Sequence, residues 1–374
     1  MKFQFGASKC IFGEGSSLEL SSYFAAKGCR HLLCVCDEGV KKAGIVGPVI
    51  EALRAAGIDV TVFDKVVPDP TVEIAEQAGQ AARDCGADGV LAVGGGSPID
   101  TAKLAAVLGA NPVTVRELCA GREIPGEPLP FVAVPTTSGT GSEVTPAAVV
   151  TDQELNRKVT LVNDKLRPAC AVLDPALTLG LPKGATAATG IDALSHAMES
   201  MTCVLHNPLT DGLALQAIRL LAEYLPRCVA DGTDREARSK VMLAATMAGM
   251  AFGNTAAHAG HALAHAMGAH WHIPHGVACG LALPFAVTVC APAAGDQLRQ
   301  IAEALGIADG EELGDWTARF SASLGIPTLR QLGIQREQLD EVVKACMKER
   351  MLMLSGVPVS EEMCRAYFEK IIEF

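Results

Sequence analysis

Five of the chain's nine histidines, His261, His265, His270, His272 and His275, fall within GHALAHAMGAHWHIPHG at 260–276. An earlier stretch, GIDALSHAME, places Asp192 and His196 four residues apart, so that on a helix both face the same way. His261 and His265 repeat that spacing, and His275 sits between Pro274 and Gly276, where a chain can turn back on itself. One carboxylate with several imidazoles can hold a divalent metal. Zn²⁺ and Fe²⁺ both suit such donors, and ligand type alone does not separate them. Any one of these histidines taken singly is more often a hydrogen-bonded core residue; the clustering with an Asp–His pair favours the metal. His258, His270 and His272 read as helix-surface or loop residues near the site, and His31 and His206 as structural.

Two glycine-rich stretches carry a second kind of chemistry. AVGGGSPIDTAK (92–103) falls where a strand hands over to a helix. Gly94, Gly95 and Gly96 let backbone N–H groups approach a phosphate. Ser97 suits the N-cap, Pro98 the first helical position, and Asp100 the first turn. The free N–H groups at such a helix start, with the positive end of its dipole, attract an anion. The pattern is neither G-x-G-x-x-G nor a Walker loop. PTTSGTGSE (135–143) also follows a strand and offers Thr136, Thr137, Ser138 and Thr140; the two loops together can clamp a pyrophosphate. Asp37 ends the strand VCD. It can accept both ribose hydroxyls of an adenosine and repel a 2′-phosphate, favouring NAD over NADP, or it can simply cap a helix. No G-x-S-x-G is present and no cysteine has a nucleophile's context, so covalent acyl transfer is not supported.

The elements that must position these residues follow from periodicity. HLLCVCD (31–37), IDVTVFD (58–64), GVLAVGGG (89–96) and LPFVAVPTT (129–137) read as buried strands; 46–57, 71–87 and 97–110 read as helices between them. Repeated β-α-β units imply an α/β, doubly wound parallel sheet of Rossmann-like kind, which binds ligands at the carboxyl ends of its strands. From about residue 182 onward the pattern is helical throughout. The reading is therefore a dinucleotide-binding domain over 1–182 and an all-α metal-binding domain over 183–374, joined at LTLGLPKG.

Composition sets the outer limits. The 374 residues are 49% hydrophobic and 20% charged, with a net charge of −11, which argues for solubility and against nucleic acid as a partner. Thirteen scattered cysteines without a C-x-x-C pair describe reduced thiols and a cytoplasmic protein. The uncharged run 277–294 reads as a buried helix rather than a membrane span, because prolines interrupt it. The N-terminal KFQFG reads as a strand able to pair with the edge of a second subunit.

The combination GGGSPIDTAK, PTTSGTGSEVT, TGIDALSHAMES and HALAHAMGAHWHIPHG resembles the iron-containing, or group III, alcohol dehydrogenases. The likeness runs from FGEG (12–15) through VVPDPT (66–71) and LDPALTLGLP (173–182) into the C-terminal helices. The resemblance implies a dehydroquinate synthase-like architecture, with a metal in the cleft between the two domains. It implies Asp192, His196, His261 and His275 as ligands of Fe²⁺, with Zn²⁺ or another divalent ion as substitutes, and His265 as a proton-transfer residue beside the substrate. It places NAD(H) at Asp37, Gly95, Gly96, Ser97 and the second loop, with Lys158, Leu177 and Thr178 bordering the nicotinamide ribose. Phe252, His258 and Trp271 would line the substrate pocket, with His258 as a polar wall able to take a positive charge. Homo-oligomers, dimers or larger, are the family's habit.

The implied activity is hydride transfer between NAD(H) and a small primary or secondary alcohol or diol and its aldehyde or ketone. An anionic short-chain aldehyde, bearing a carboxylate or sulfonate, is the alternative substrate. A non-catalytic nucleotide- or metal-binding protein is the alternative of a different class. Three departures from the family's pattern stand out: Asp69 where P-N-P-T has asparagine, HAMG at 265–268 in place of H-P-L-G, and HWH at 270–272.

Overall fold

The structure, a computed structural model, describes residues 2–154, 157–307 and 312–373. The chain forms two compact units: one comprises Gly6–Thr137 and Gly141–Leu179, the other Ser138–Thr140 and everything from Gly180 onward, with a few N-terminal residues.

Among the described residues the first unit is built on eight strands: β1 Lys9–Phe12, β2 His31–Asp37, β3 Asp59–Val66, β4 Gly89–Gly94, β5 Phe131–Pro135, β6 Ala147–Asp152, β7 Arg157–Val162 and β8 Cys170–Leu173. Six of them make one sheet in the order β1-β8-β5-β4-β2-β3, every neighbour parallel. Helices cover both faces, so the central strands bury every residue: β4 and β5 have no exposed position. Alternate residues of β2 go to opposite cores. Leu32 and Cys34 pack with Val49 and Leu53, while Leu33 and Val35 pack with Ile99 and Ala102. This is the doubly wound α/β arrangement expected from the apolar runs.

Three features differ from the reading by periodicity. β1 and β8 are only four residues long, and each is defined by its pairing with the other end of the unit (Lys9 opposite Cys170) rather than by its own pattern. β6 and β7 form a separate antiparallel hairpin. Residues 2–6, KFQFG, carry no strand; the first strand starts at Lys9 and lies on the sheet edge.

The second unit is helical. Lys183–Thr202, Pro208–Ala230, Arg235–Phe252, Ala259–Trp271 and His275–Val289 are its main helices. The apolar run 277–294 is not one helix. It breaks at Cys290 into His275–Val289 and Ala291–Leu305, bent by 112°. Pro284 is carried inside the first helix, whereas Pro292 starts the second, where its missing N–H has no helical partner to lose. Among the described residues no single helix is long and apolar enough to cross a membrane.

Candidate metal centre and nucleotide loops

Asp192 and His196 lie on the buried face of the Lys183–Thr202 helix, His261 on the Ala259–Trp271 helix, and His275 at the first position of the His275–Val289 helix. Asp192 Oδ1 stands 3.8 Å from His196 Nε2, 3.6 Å from His261 Nε2 and 3.6 Å from His275 Nε2. Those separations are too long for hydrogen bonds, and this buried carboxylate oxygen has no hydrogen-bond partner. Donors at about 2.0–2.2 Å from one tetrahedral ion stand roughly 3.4 Å apart, so the residues fit a shared divalent cation. Phe252 covers the cluster, its ring stacked on His196 at 4.0 Å between centroids. Asp192, His196 and His261 are nearly sealed, while His275 is one-third exposed and gives the site its open side.

Charge at the centre follows from burial. Burial opposes ionisation of Asp192, yet the imidazoles of His196, His275 and His261 outweigh it and hold the carboxyl far below the usual range. His196 is pushed down to about 4, chiefly by burial, and so is neutral at neutral pH. Burial also disfavours charge on His261, but Cys279, Glu199 and Asp192 together hold it above its ordinary value.

Two residues of the centre were not singled out in the sequence. Cys279 lies one turn after His275, its Sγ 3.6 Å from His275 Nε2 and 3.8 Å from His261 Nε2. It joins Asp192, His261 and His275 as a group whose donor atoms all lie within 4.8 Å. Burial pushes its thiol up to about 12, so near neutrality it is a neutral group beside better donors. Glu199, fully buried, accepts a 2.6 Å hydrogen bond from His261 Nδ1. Burial would raise its pKa, but His261 and His258 pull it down to about 2. The spacing Asp192, His196, Glu199 (i, i+4, i+7) on one helix face was the available signal.

The remaining histidines separate cleanly. His265 is part-exposed, its ring 5.7 Å from that of His275 and its Nδ1 3.7 Å from Glu349 Oε2. His258 is fully buried, its Nε2 2.7 Å from Thr202 Oγ1. Burial lowers its pKa below the ordinary histidine range and so opposes a charge there. Trp271 packs edge-on against Phe368 at 5.5 Å, ten residues and about 15 Å of helix beyond His261. The HAMG stretch does not end its helix, which runs on to Trp271 and closes at His272 in left-handed conformation (φ 54°).

In the sheet unit the helix Gly96–Ala110 starts from Gly95, not from Ser97, and no side chain caps it. Its first N–H groups are therefore satisfied by no capping side chain. Thr136 N–H bonds to Gly94 O at 3.0 Å, setting the second loop beside the first. Asp37 Oδ1 accepts from Val40 N–H at 2.9 Å and caps the short helix Glu38–Lys42. Asp100, expected near the cofactor from its place at the helix start, is engaged inside the unit. Its Oδ2 accepts from Val149 N–H at 2.9 Å, and its Oδ1 is held by Lys103 at 3.2 Å and by the Ser142 hydroxyl. Lys103, an unforeseen buried cation, also donates to Ser142 Oγ (2.8 Å), Thr145 Oγ1 (3.1 Å) and the Ala147 carbonyl. Lys158, on β7, pairs with Asp69 Oδ1 at 2.5 Å, and Asp69 occupies the left-handed region (φ 52°). Thr178 is fully buried and its hydroxyl donates to Pro175 O, while Leu177 packs on the sheet core.

The model of the iron-containing alcohol dehydrogenases matches residues 7–175, and that of the family's C-terminal region matches 186–372. The chain belongs to the iron-containing alcohol dehydrogenase family. Long-chain-alcohol dehydrogenase 1 of Geobacillus thermodenitrificans is 38% identical over 356 residues, covering 91% of this chain and 89% of that one. Among solved structures, a 1,3-propanediol oxidoreductase superposes with a TM-score of 0.94 at 33% identity, covering 99% of this chain and 100% of its own. A sulfoacetaldehyde reductase from Bifidobacterium kashiwanohense in complex with NAD⁺ gives 0.93 at 30%, covering 100% and 99%. The protein is thus an oxidoreductase of the alcohol dehydrogenase type, as its motifs implied, and its two-unit fold is that of the family.

Proposed function

We propose that the protein interconverts a small primary or secondary alcohol, or a diol, with its aldehyde or ketone, using NAD(H) and a divalent metal, Fe²⁺ or Zn²⁺. The observation that carries this is the unpartnered Asp192 Oδ1 facing three imidazole Nε2 atoms at 3.6–3.8 Å. Asp192, His196, His261 and His275 hold the metal. When bound there, a divalent ion supplies Lewis acidity to a substrate oxygen. Phe252 closes the centre over His196 and excludes water on that side. His265 exchanges the substrate proton with water at Nε2, its Nδ1 edge being turned toward Glu349.

The cofactor reading rests on the uncapped N-terminus of the Gly96–Ala110 helix for the pyrophosphate, with Gly94, Gly95, Gly96, Ser97, Thr136, Thr137, Ser138 and Thr140 around it. Asp37 binds the adenosine ribose, and Lys158 reaches the nicotinamide ribose after leaving Asp69, bordered by Leu177 and Thr178. Residues 1–182 serve the nucleotide and 183–374 the metal and substrate. The redox step belongs to the cofactor; the protein's share is orientation and electrostatics.

A second substrate class, a short aldehyde with a sulfonate or carboxylate, is favoured by the full-length likeness to the sulfoacetaldehyde reductase. A panel of short neutral and anionic aldehydes with NADH, run on protein reconstituted with Fe²⁺ or Zn²⁺, separates the two. Turnover of neutral aldehydes or of the anionic set is expected. Protein that binds NADH but turns over none of them with either metal contradicts the proposal and supports a non-catalytic binding protein.

A further inference from the structure

We propose that Glu199 is a positioning residue that decides which nitrogen of His261 faces the metal centre, through the same carboxylate that caps the helix carrying His261. This rests on the reading of His261 as a ligand.

Both oxygens of the carboxylate are engaged at the start of the helix that carries His261. Oε1 accepts from His261 Nδ1 at 2.6 Å. Oε2 accepts from the backbone N–H groups of His258 (2.7 Å), Gly260 (3.1 Å) and His261 (3.4 Å). Those amides open the Ala259–Trp271 helix, whose own N-cap residue, His258, makes no side-chain cap bond. A side chain from another helix thus does the capping. A carboxylate only accepts, so the hydrogen of a neutral His261 sits on Nδ1. Its Nε2 lone pair is then left for the centre, 3.6 Å from Asp192 Oδ1. Carboxylates in this relation to a metal-bound imidazole fix its tautomer and raise its basicity. The close approach needs Gly260: a Cβ there would stand 2.6 Å from Glu199 Oε1.

Glutamine cannot replace Glu199 in both tasks. An amide has one accepting oxygen, and donors lie on both sides. If the oxygen faces the backbone amides, the NH₂ faces Nδ1, and His261 must move its hydrogen to Nε2, where it no longer binds a metal. If the amide turns round, its NH₂ meets the N–H groups of the helix start.

The test combines metal affinity, by competition with a chelator, with two-dimensional NMR of ¹⁵N-histidine-labelled metal-free protein, recorded at a pH alkaline enough for the His261 ring to be neutral. In wild type the His261 ring is expected with hydrogen on Nδ1. Glu199→Gln is expected to weaken Zn²⁺ or Fe²⁺ binding about 10–100-fold and to shift His261 toward the Nε2–H tautomer. Gly260→Ala, which removes no ligand, is expected to weaken metal binding in the same direction. Folded Glu199→Gln protein with wild-type affinity and tautomer overturns the proposal. Should Glu199→Gln fail to fold, an Nε2–H tautomer in the wild type still overturns it. His261→Ala tells this apart from failure of the ligand reading: full metal content in that variant removes His261 from the ligand set and the proposal with it. Loss of metal there beside an unaffected Glu199→Gln overturns the role of Glu199 alone.

Discussion

Gly276 packs so closely on Ala188 that a Cβ built on the glycine would stand 2.1 Å from the Ala188 carbonyl oxygen. That contact joins the start of the helix bearing His275 to the helix bearing Asp192, one turn before Asp192 itself. The site's assembly therefore depends on a residue with no chemistry of its own. Gly276→Ala is expected to lower stability by about 1–3 kcal/mol through overpacking and to weaken metal binding by displacing His275. Urea unfolding and chelator competition measure the two effects; a variant with wild-type midpoint and metal affinity would show that the helices tolerate the displacement.

Lys103 ties the Gly96–Ala110 helix to Ser142, Thr145 and the start of β6 from a side chain with no exposure. Its removal strands the carboxylate of Asp100 in the interior. Lys103→Met is expected to cost about 3–5 kcal/mol, read from the urea midpoint, and to weaken NADH binding by releasing the second glycine-rich loop. An unchanged midpoint would mean that the network adds nothing.

Tyr367 donates a 2.6 Å hydrogen bond to the Leu281 carbonyl and so pins the C-terminal helix to the helix of His275. Burial raises its pKa well above the ordinary value of 10. The folded protein therefore keeps the phenol proton when the unfolded chain has lost it. This contribution is whole below about pH 10 and is lost as pH rises toward the folded value. Tyr367→Phe is expected to cost about 1 kcal/mol at neutral pH and to flatten the loss of stability above pH 10. Denaturant titrations across pH 8–11 check this; parallel curves for the two proteins would contradict it.

What could be read in the sequence was what local pattern determines. The buried strands β2, β3, β4 and β5 announced themselves as apolar runs, and the helices between them by their periodicity. β1 and β8 did not, because four residues carry no period and the pair joins positions more than 150 residues apart. The centre was legible through i, i+4 spacing for Asp192 and His196, and His275 through its Pro-Gly setting. The partners of Asp100 and Trp271 were not legible, because residue type and spacing do not report which way a side chain finds its partner. Asp100 turned inward to Lys103, and Trp271 was carried along its helix toward Phe368. Glu199 lay on a face already read to Asp192 and His196 and was missed because its partner, His261, lies on a different helix.

Metal content tests the central claim most directly. Protein reconstituted anaerobically with Fe²⁺ or Zn²⁺ and freed of excess ion should hold one equivalent per chain in the wild type. Asp192→Ala should hold close to none while remaining folded by circular dichroism. A folded Asp192→Ala protein that retains a full equivalent at wild-type affinity would contradict the account.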